Sequence, residues 1–312
     1  MIVAGSEPVL EAVRAAVLGL AVRPGRLLVG LSGGVDSMAL LLATRIVARE
    51  TEPPLSTVAL HAHHGLQTQA DQWAAFCGDV CAALEVPLVV GRLQVPPTGN
   101  LEQAARTARY KFFLEQAQPE DLTLLAHHAD DQTETLLLRL LQGRSLAAMS
   151  ELGSVQGLAV LRPLLGLTKR DLQAFVEQQD QTWVFDPSNA ERALDRNFLR
   201  HEILPQLRQR WQNLDVRVQR LGRYVAALEK QCQAELAERF AAGQPLLVTE
   251  LSGDSEVALF KLRCWLALHE EFTVTDRALR EFLRQCFAGK DARIQCTGAR
   301  ELCLDGRAVV VT

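Results

Sequence analysis

The segment Leu28-Val29-Gly30-Leu31-Ser32-Gly33-Gly34-Val35-Asp36-Ser37 constrains this chain more than any other, because it reads as a buried strand, a glycine turn and the start of a helix. Adjacent glycines let the backbone bend so that successive amides converge on one point, at the positive end of the helix that follows. Phosphate is the ligand such a turn suits. A Walker A loop would place a lysine directly after its glycines, but the nearest lysine downstream here is Lys111, which excludes a P-loop that transfers the γ-phosphate. Asp36 sets a carboxylate inside an anion site, which makes sense when Mg²⁺ bridges it to phosphate oxygens.

Around this unit, short apolar runs alternate with longer helical patterns. Candidate strands are Arg26 to Leu31, Thr57 to His61, Leu88 to Leu93, Leu122 to Ala126 and Leu158 to Leu161, and amphipathic stretches begin near Ser37, Ala70, Leu101 and Asp131. The repetition predicts an α/β fold with a parallel, doubly wound, Rossmann-like sheet, whose ligands bind beyond the C-terminal ends of the strands. After Pro205 the pattern changes. A long helix from Arg208 to Ala242, helices at Val257 to Leu268 and Asp276 to Phe287, and a hairpin over Leu302 to Val311 predict a small, mainly helical second domain, with the break after residue 207. Two domains also suit 312 residues.

Two more strand ends carry polar clusters: His61-Ala62-His63-His64-Gly65-Leu66, and His127-His128-Ala129-Asp130-Asp131-Gln132-Thr133-Glu134-Thr135. Asp131 and Glu134 share one face of a helix, where they either hold Mg²⁺ or a cationic substrate or stabilise the helix N-terminus. The histidine pairs suit a phosphate site, zinc or plain packing; no cysteine accompanies them, which disfavours zinc. Cys77 and Cys81 fall on an apolar stripe with Trp73, Val80 and Leu84, and are expected in the core. From Arg192 to Arg223, eight arginines face three acids, and no lysine is present. Such a window is either a solvated helix face or an anion-binding one, and the use of arginine alone favours phosphate contacts. Composition excludes disorder and fibres, with 48% hydrophobic and 22% charged residues. No apolar run approaches membrane-spanning length and no basic segment precedes the first apolar run, so a soluble, cytoplasmic protein is expected.

The SGGxDS pattern resembles the PP-loop ATP pyrophosphatases, which cleave ATP between the α and β phosphates and adenylate a carbonyl oxygen. The HxHHGL and HHxDDQxET stretches narrow the resemblance to the tRNA(Ile)-lysidine synthetase family. So do the arginine helix Glu102 to Tyr110, with Arg106 and Arg109, and the run Asp186-Pro187-Ser188-Asn189 followed by Arg196, Asn197, Phe198, Leu199, Arg200 and Pro205. Leu262, Arg263, Trp265 and Leu266 are more loosely similar to its helical substrate-binding domain, and longer members carry a further C-terminal domain. The resemblance implies a carbon–nitrogen ligase acting in two steps. The O2 of the wobble cytidine of tRNA(Ile), anticodon CAU, attacks the α-phosphate of ATP, and the ε-amine of L-lysine then displaces AMP at carbon 2.

Residue roles are implied in the same way. Ser32, Gly33, Gly34, Val35, Asp36, Ser37 and His61 would bind ATP, and Asp36 and Asp131 would carry Mg²⁺. Arg106 with Arg196 or Arg200 would offset charge on the α-phosphate, and His127 would contact that phosphate or move a proton. Asp130 or Glu134 would receive the lysine ammonium, and Arg208, Arg217 and Arg220 would meet RNA. No membrane partner is implied, and a homodimer stays open. Two rivals are a PP-loop tRNA thiolase, against which the lack of any CxxC argues, and a non-catalytic nucleotide- or RNA-binding module, against which the convergence of acids and arginines argues.

Overall fold

Leu27, Leu28 and Val29 are all buried, and they put β1 (Arg26–Gly30) at the centre of a sheet covered on both faces. The computed structural model describes residues 7–65, 67–95, 101–187, 195–241, 245–269, 274–296 and 301–312. Six strands form the sheet in the order β3-β2-β1-β4-β6-β5, with β2 at Ser56–His63, β3 at Leu88–Arg92, β4 at Leu122–Leu124, β5 at Leu152–Val155 and β6 at Leu158–Leu161. The first five in that order run parallel. The strand order reverses between β1 and β4, and a crevice at that point is where such sheets bind ligands. One departure from the expected parallel sheet is β5, which pairs antiparallel with β6. The two are joined through Gln156 and Gly157, both at positive φ, the geometry of a two-residue hairpin turn.

One face of the sheet is covered by α1 (Glu7–Leu18), α2 (Val35–Glu50), α3 (Ala70–Ala83) and α6 (Lys169–Gln178), packed with Leu27, Val29, Leu124 and Leu161. Cys77 and Cys81 sit in this core, as their spacing predicts. The other face is covered by α4 (Leu101–Gln116), whose Tyr110, Phe112 and Phe113 pack on Leu28, Leu60, Leu125 and Val160. Burying each such aromatic contributes on the order of 2 kcal/mol. A further helix, α5 (Ala129–Leu141), starts just beyond β4.

After α7 (Asp195–Phe198) the chain makes a π-helical turn, Leu199–Ile203, and continues as α8 (Leu204–Arg210). The expected continuous helix from Arg208 is broken at Trp211, which has φ −126° and ψ 89° and cannot extend α8; α9 (Leu214–Ala241) follows. The described chain divides into two compact units, 1–138 with 149–218, and 139–148 with 219–312. Residues 208–218, expected in the second domain, thus group with the first. The second unit buries Leu236, Leu259, Leu262, Trp265 and Phe282 between α9, α10 (Ser255–Leu266) and α11 (Asp276–Phe287). Its terminal hairpin, β9 (Glu301–Asp305) and β10 (Ala308–Val311), is part of a four-stranded antiparallel sheet with β7 (Leu246–Leu247) and β8 (Arg293–Gln295), ordered β7-β10-β9-β8. No helix among the described residues is long and apolar enough to cross a membrane.

Candidate active site

Gly33 adopts φ +87°, and a Cβ there would lie 2.8 Å from Val184 Cγ2, so the turn requires glycine on two counts. The backbone amide of Val184 donates to Gly33 O at 3.0 Å and fixes the turn. The hydroxyl of Ser37 donates to Gly34 O at 2.9 Å, which leaves Ser32 Oγ to donate to Ser37 Oγ at 3.0 Å. Gly34, the N-cap of α2, supplies no side-chain cap, so the positive end of that helix is open to an anion. Behind the loop, His61 Nδ1 bonds Leu31 O at 2.9 Å and lies 3.5 Å from Cys77 Sγ. Burial pushes the His61 pKa down, and the bond it makes braces the end of β1.

Acids gather around His128. Its Nε2 lies 3.7 Å from Asp36 Oδ2 and 3.4 Å from Asp131 Oδ2, and its Nδ1 lies 3.4 Å from Asp130 Oδ2. Burial favours the neutral ring, but the three carboxylates outweigh it and raise the pKa to about 9. His128 is therefore an imidazolium at neutral pH. Burial works against ionisation of Asp36, yet His128, Lys169 and Arg200 hold its pKa below the usual carboxylate range. Asp36 Oδ1 is buried with no hydrogen-bond partner. An orphaned carboxylate oxygen beside a second carboxylate, at an open helix N-terminus, is a donor set that suits Mg²⁺.

A second layer of charge fixes α5. Glu134 is buried, and its carboxylate accepts from Arg196 Nε at 2.8 Å, Arg200 Nε at 2.6 Å and Arg200 Nη2 at 2.7 Å. Asp131 Oδ1 accepts from Arg196 Nη2 at 2.7 Å. The three-residue spacing does place both acids on one face, but the cations they meet are the chain's own. Glu134, expected to receive a lysine ammonium, is committed to two guanidiniums, and Arg196 and Arg200, expected at the α-phosphate, are held by acids. Asp130 accepts from the Lys169 backbone amide at 3.0 Å and from Arg208 Nη2 at 2.7 Å. Arg208, expected to meet RNA, also binds Asp215 at 2.8 and 2.9 Å, so its charge is answered within the fold. Arg217 and Arg220 are exposed on α9. Leu66, Ser188, Asn189, Arg192 and the Glu102 side chain lie outside the described residues.

Across the sheet the charge is of one sign. Arg106 and Arg109 of α4 lie over the Tyr110 ring, 5.0 and 5.5 Å from its centroid. His127 belongs to this side. Its pKa falls well below the usual histidine value through burial first, then through Arg162, Arg106, Arg109 and Arg196. His64 is lowered to about 4 by burial and by Arg109, His61 and His63. Both rings are neutral at pH 7. Arg162, buried at the end of β6, is not among the residues picked out from the sequence. The available signal was its position, since it directly follows the strand Leu158 to Leu161 at the edge where such sheets bind ligands.

Comparison with known proteins adds to this geometry. Residues 10–207 match the PP-loop domain family. The chain is 37% identical over 279 residues to a tRNA(Ile)-lysidine synthase of Haemophilus influenzae (strain PittEE), covering 86% of this chain and 65% of that one. It is 41% identical over 212 residues to the tRNA(Ile)-lysidine synthase of Actinobacillus pleuropneumoniae serotype 3 (strain JL03), covering 67% of this chain and 49% of that one. It thus spans about two thirds of the first relative and half of the second. The fold is similar to that of the U34-tRNA thiolase NcsA from Methanococcus maripaludis, with a TM-score of 0.60 and 14% identity over 72% of this chain and 80% of that one.

Proposed function

This chain belongs to the PP-loop domain family, and from that membership we propose that it is an ATP-dependent ligase that joins L-lysine to carbon 2 of the wobble cytidine of tRNA(Ile) with anticodon CAU. AMP and pyrophosphate are the other products. The observation that carries the reading is the uncapped glycine turn facing an orphaned Asp36 oxygen, with no lysine of the Walker type beside it. The resemblance to tRNA(Ile)-lysidine synthases over most of this chain supports the choice of substrates. Seven unpaired cysteines suit a cytoplasmic enzyme.

In this scheme the amides and hydroxyls of Ser32 to Ser37 bind the pyrophosphate that leaves. Asp36 and Asp131 would hold Mg²⁺, which when bound neutralises charge on the phosphates. His128, as a cation, keeps three neighbouring carboxylates from repelling them. Arg106 meets the α-phosphate as charge develops there. His127, held neutral by burial and the arginines around it, would contact the α-phosphate as an uncharged ring, since the same surroundings disfavour its taking up a proton. Glu134 and Asp130 hold the arginines that shape the pocket. A thiolase chemistry is not favoured, because burial pushes the Cys77 and Cys81 thiols up to about 12 and about 11, far from thiolate at neutral pH.

The test combines purified protein, ATP, Mg²⁺, labelled lysine and a CAU-anticodon tRNA, followed by nucleoside analysis. Lysidine, AMP and pyrophosphate are expected. ADP and phosphate would overturn the reading.

A further inference from the structure

Four polar atoms on the α4 side of the sheet end are buried with no hydrogen-bond partner among the described residues: His64 Nδ1, Arg109 Nε, His127 Nδ1 and Arg162 Nε. A buried donor left unsatisfied costs roughly 1–3 kcal/mol, and more when it is charged. Arg162 is only 6% exposed, and its Nη1 donates to Ser150 O at 2.9 Å. Tyr110 lies beside both Arg109 and Arg162. No described carboxylate forms an ion pair with Arg106, Arg109 or Arg162, whereas Arg196, Arg200 and Arg208 each have two. Among the described residues none of the three guanidiniums has a counter-charge, and for the buried Arg162 that is costly, a cost that an anion bound there would remove.

We infer that Arg109 and Arg162, with Tyr110 beside them, form a second oxyanion subsite on the α4 side of the sheet, separate from the glycine turn. The inference rests on the functional reading above for the identity of its ligand. Two substrate groups share the required chemistry: the phosphoryl group that stays with AMP, and the α-carboxylate of the amino acid. Each offers paired oxygens to a guanidinium fork. Arg106 alone matches one negative charge on the α-phosphate, which leaves Arg109 and Arg162 for a second anion or a shared grip on the first.

The variants are Arg162→Gln and Arg109→Gln, the second guarding against loss of the Ser150 bond in the first. Thermal melts with and without sodium sulfate test anion binding independently of any reaction. Without sulfate, Arg109→Gln should melt no lower than wild type, because one of several mutually repelling cations is gone. Its gain from sulfate should be smaller. If both variants melt lower and keep the full sulfate gain, the arginines are structural and the inference fails. Kinetics then separate the sources. For a carboxylate subsite, the lysine KM rises ~10- to 100-fold in the variants, with pyrophosphate exchange and the use of cadaverine, which lacks the carboxylate, unchanged. For a phosphate subsite, exchange falls by a similar factor and both amines suffer alike. If neither quantity moves by more than about twofold, less than one ordinary hydrogen bond, the subsite is disproved. Wild-type protein that exchanges no pyrophosphate would sink the functional reading while leaving the sulfate melts to judge the subsite.

Discussion

His127 and His128 are adjacent in sequence, yet the end of β4 delivers them into opposite environments. His128 is enclosed by Asp36, Asp130 and Asp131 and is charged, whereas His127 is surrounded by Arg106, Arg109 and Arg162 and is neutral. The difference lies in compensation. On the His128 side each acid faces an arginine or the imidazolium, so that half is charge-compensated within the folded chain, with Asp36 Oδ1 left over. On the His127 side no described acid pairs with the cations, an arrangement that a ligand's negative charge would complete. A site divided this way separates residues that hold geometry from residues that wait for charge.

The sharpest challenge to that division is Asp36, whose Oδ1 is the one buried carboxylate oxygen without a partner among the described residues. Asp36→Ala should lower pyrophosphate release by ~10³-fold, the scale of losing a charge-stabilising group at a reacting phosphate. Its melting temperature should fall modestly, since Asp36 is one of the three carboxylates that hold His128 charged. Exchange kinetics and a thermal melt check both parts, and near wild-type turnover would remove Asp36 from the metal site.

Glu134 tests the closed half. Replacing Glu134 with Gln leaves two guanidiniums with reduced compensation beside a buried group, which should destabilise the protein by roughly 3–5 kcal/mol, as breaking buried pairs does. Denaturant unfolding of the variant measures it. Unchanged stability with a raised lysine requirement would instead return Glu134 to the role its position in the sequence suggested.

That role illustrates which parts of the molecule the sequence exposes. The strand-turn-helix periodicity located all the parallel strands and the crossover helices between them, because burial on both faces writes itself into local pattern. Helices α1, α6, α7 and α8 went unread, although two of them carry signals: α1 repeats Val9, Leu10, Val13 and Val17, and α6 opens with a Thr168 and Asp171 capping box. No glycine or proline marks the break at Trp211, so that break was not readable. Within the site, residue types were legible and partnerships were not. Nothing local tells that Glu134 will meet Arg196 and Arg200, more than sixty positions away, or that Arg162 will find no carboxylate among the described residues.

The two histidine environments should also separate by pH. Imidazole NMR resonances should show His128 titrating near pH 9 and His64 near pH 4. For His128 the folded pKa lies above the unfolded value, so its stabilisation, roughly 3 kcal/mol, is complete below about pH 6.5 and disappears as pH rises through about 9. For His64 the folded pKa lies below the unfolded one. The unfolded chain then gains a proton that the folded chain refuses, and stability falls as pH drops from about 6.5 toward 4. A His128 resonance that titrates near 6.5 would show that the three carboxylates do not act on it together.

The smallest expected effect concerns arginines that sequence alone treats as equivalent. Arg208 is tied to Asp130 and Asp215, whereas Arg217 and Arg220 are exposed on α9. Phosphate contacts release counterions, so each exposed arginine that meets a tRNA backbone should contribute about one unit to the salt slope of binding. Neutralising Arg217 and Arg220 should therefore flatten that slope by up to about two and weaken binding modestly, with no change in melting temperature. Arg208→Gln should do the reverse, lowering the melting temperature while leaving the slope unchanged, because its charge is already answered within the fold. Fluorescence titrations at several salt concentrations separate the two. Should Arg208→Gln flatten the slope as strongly as the exposed pair, its carboxylate partners release it to RNA, and the closed half of the site opens on binding.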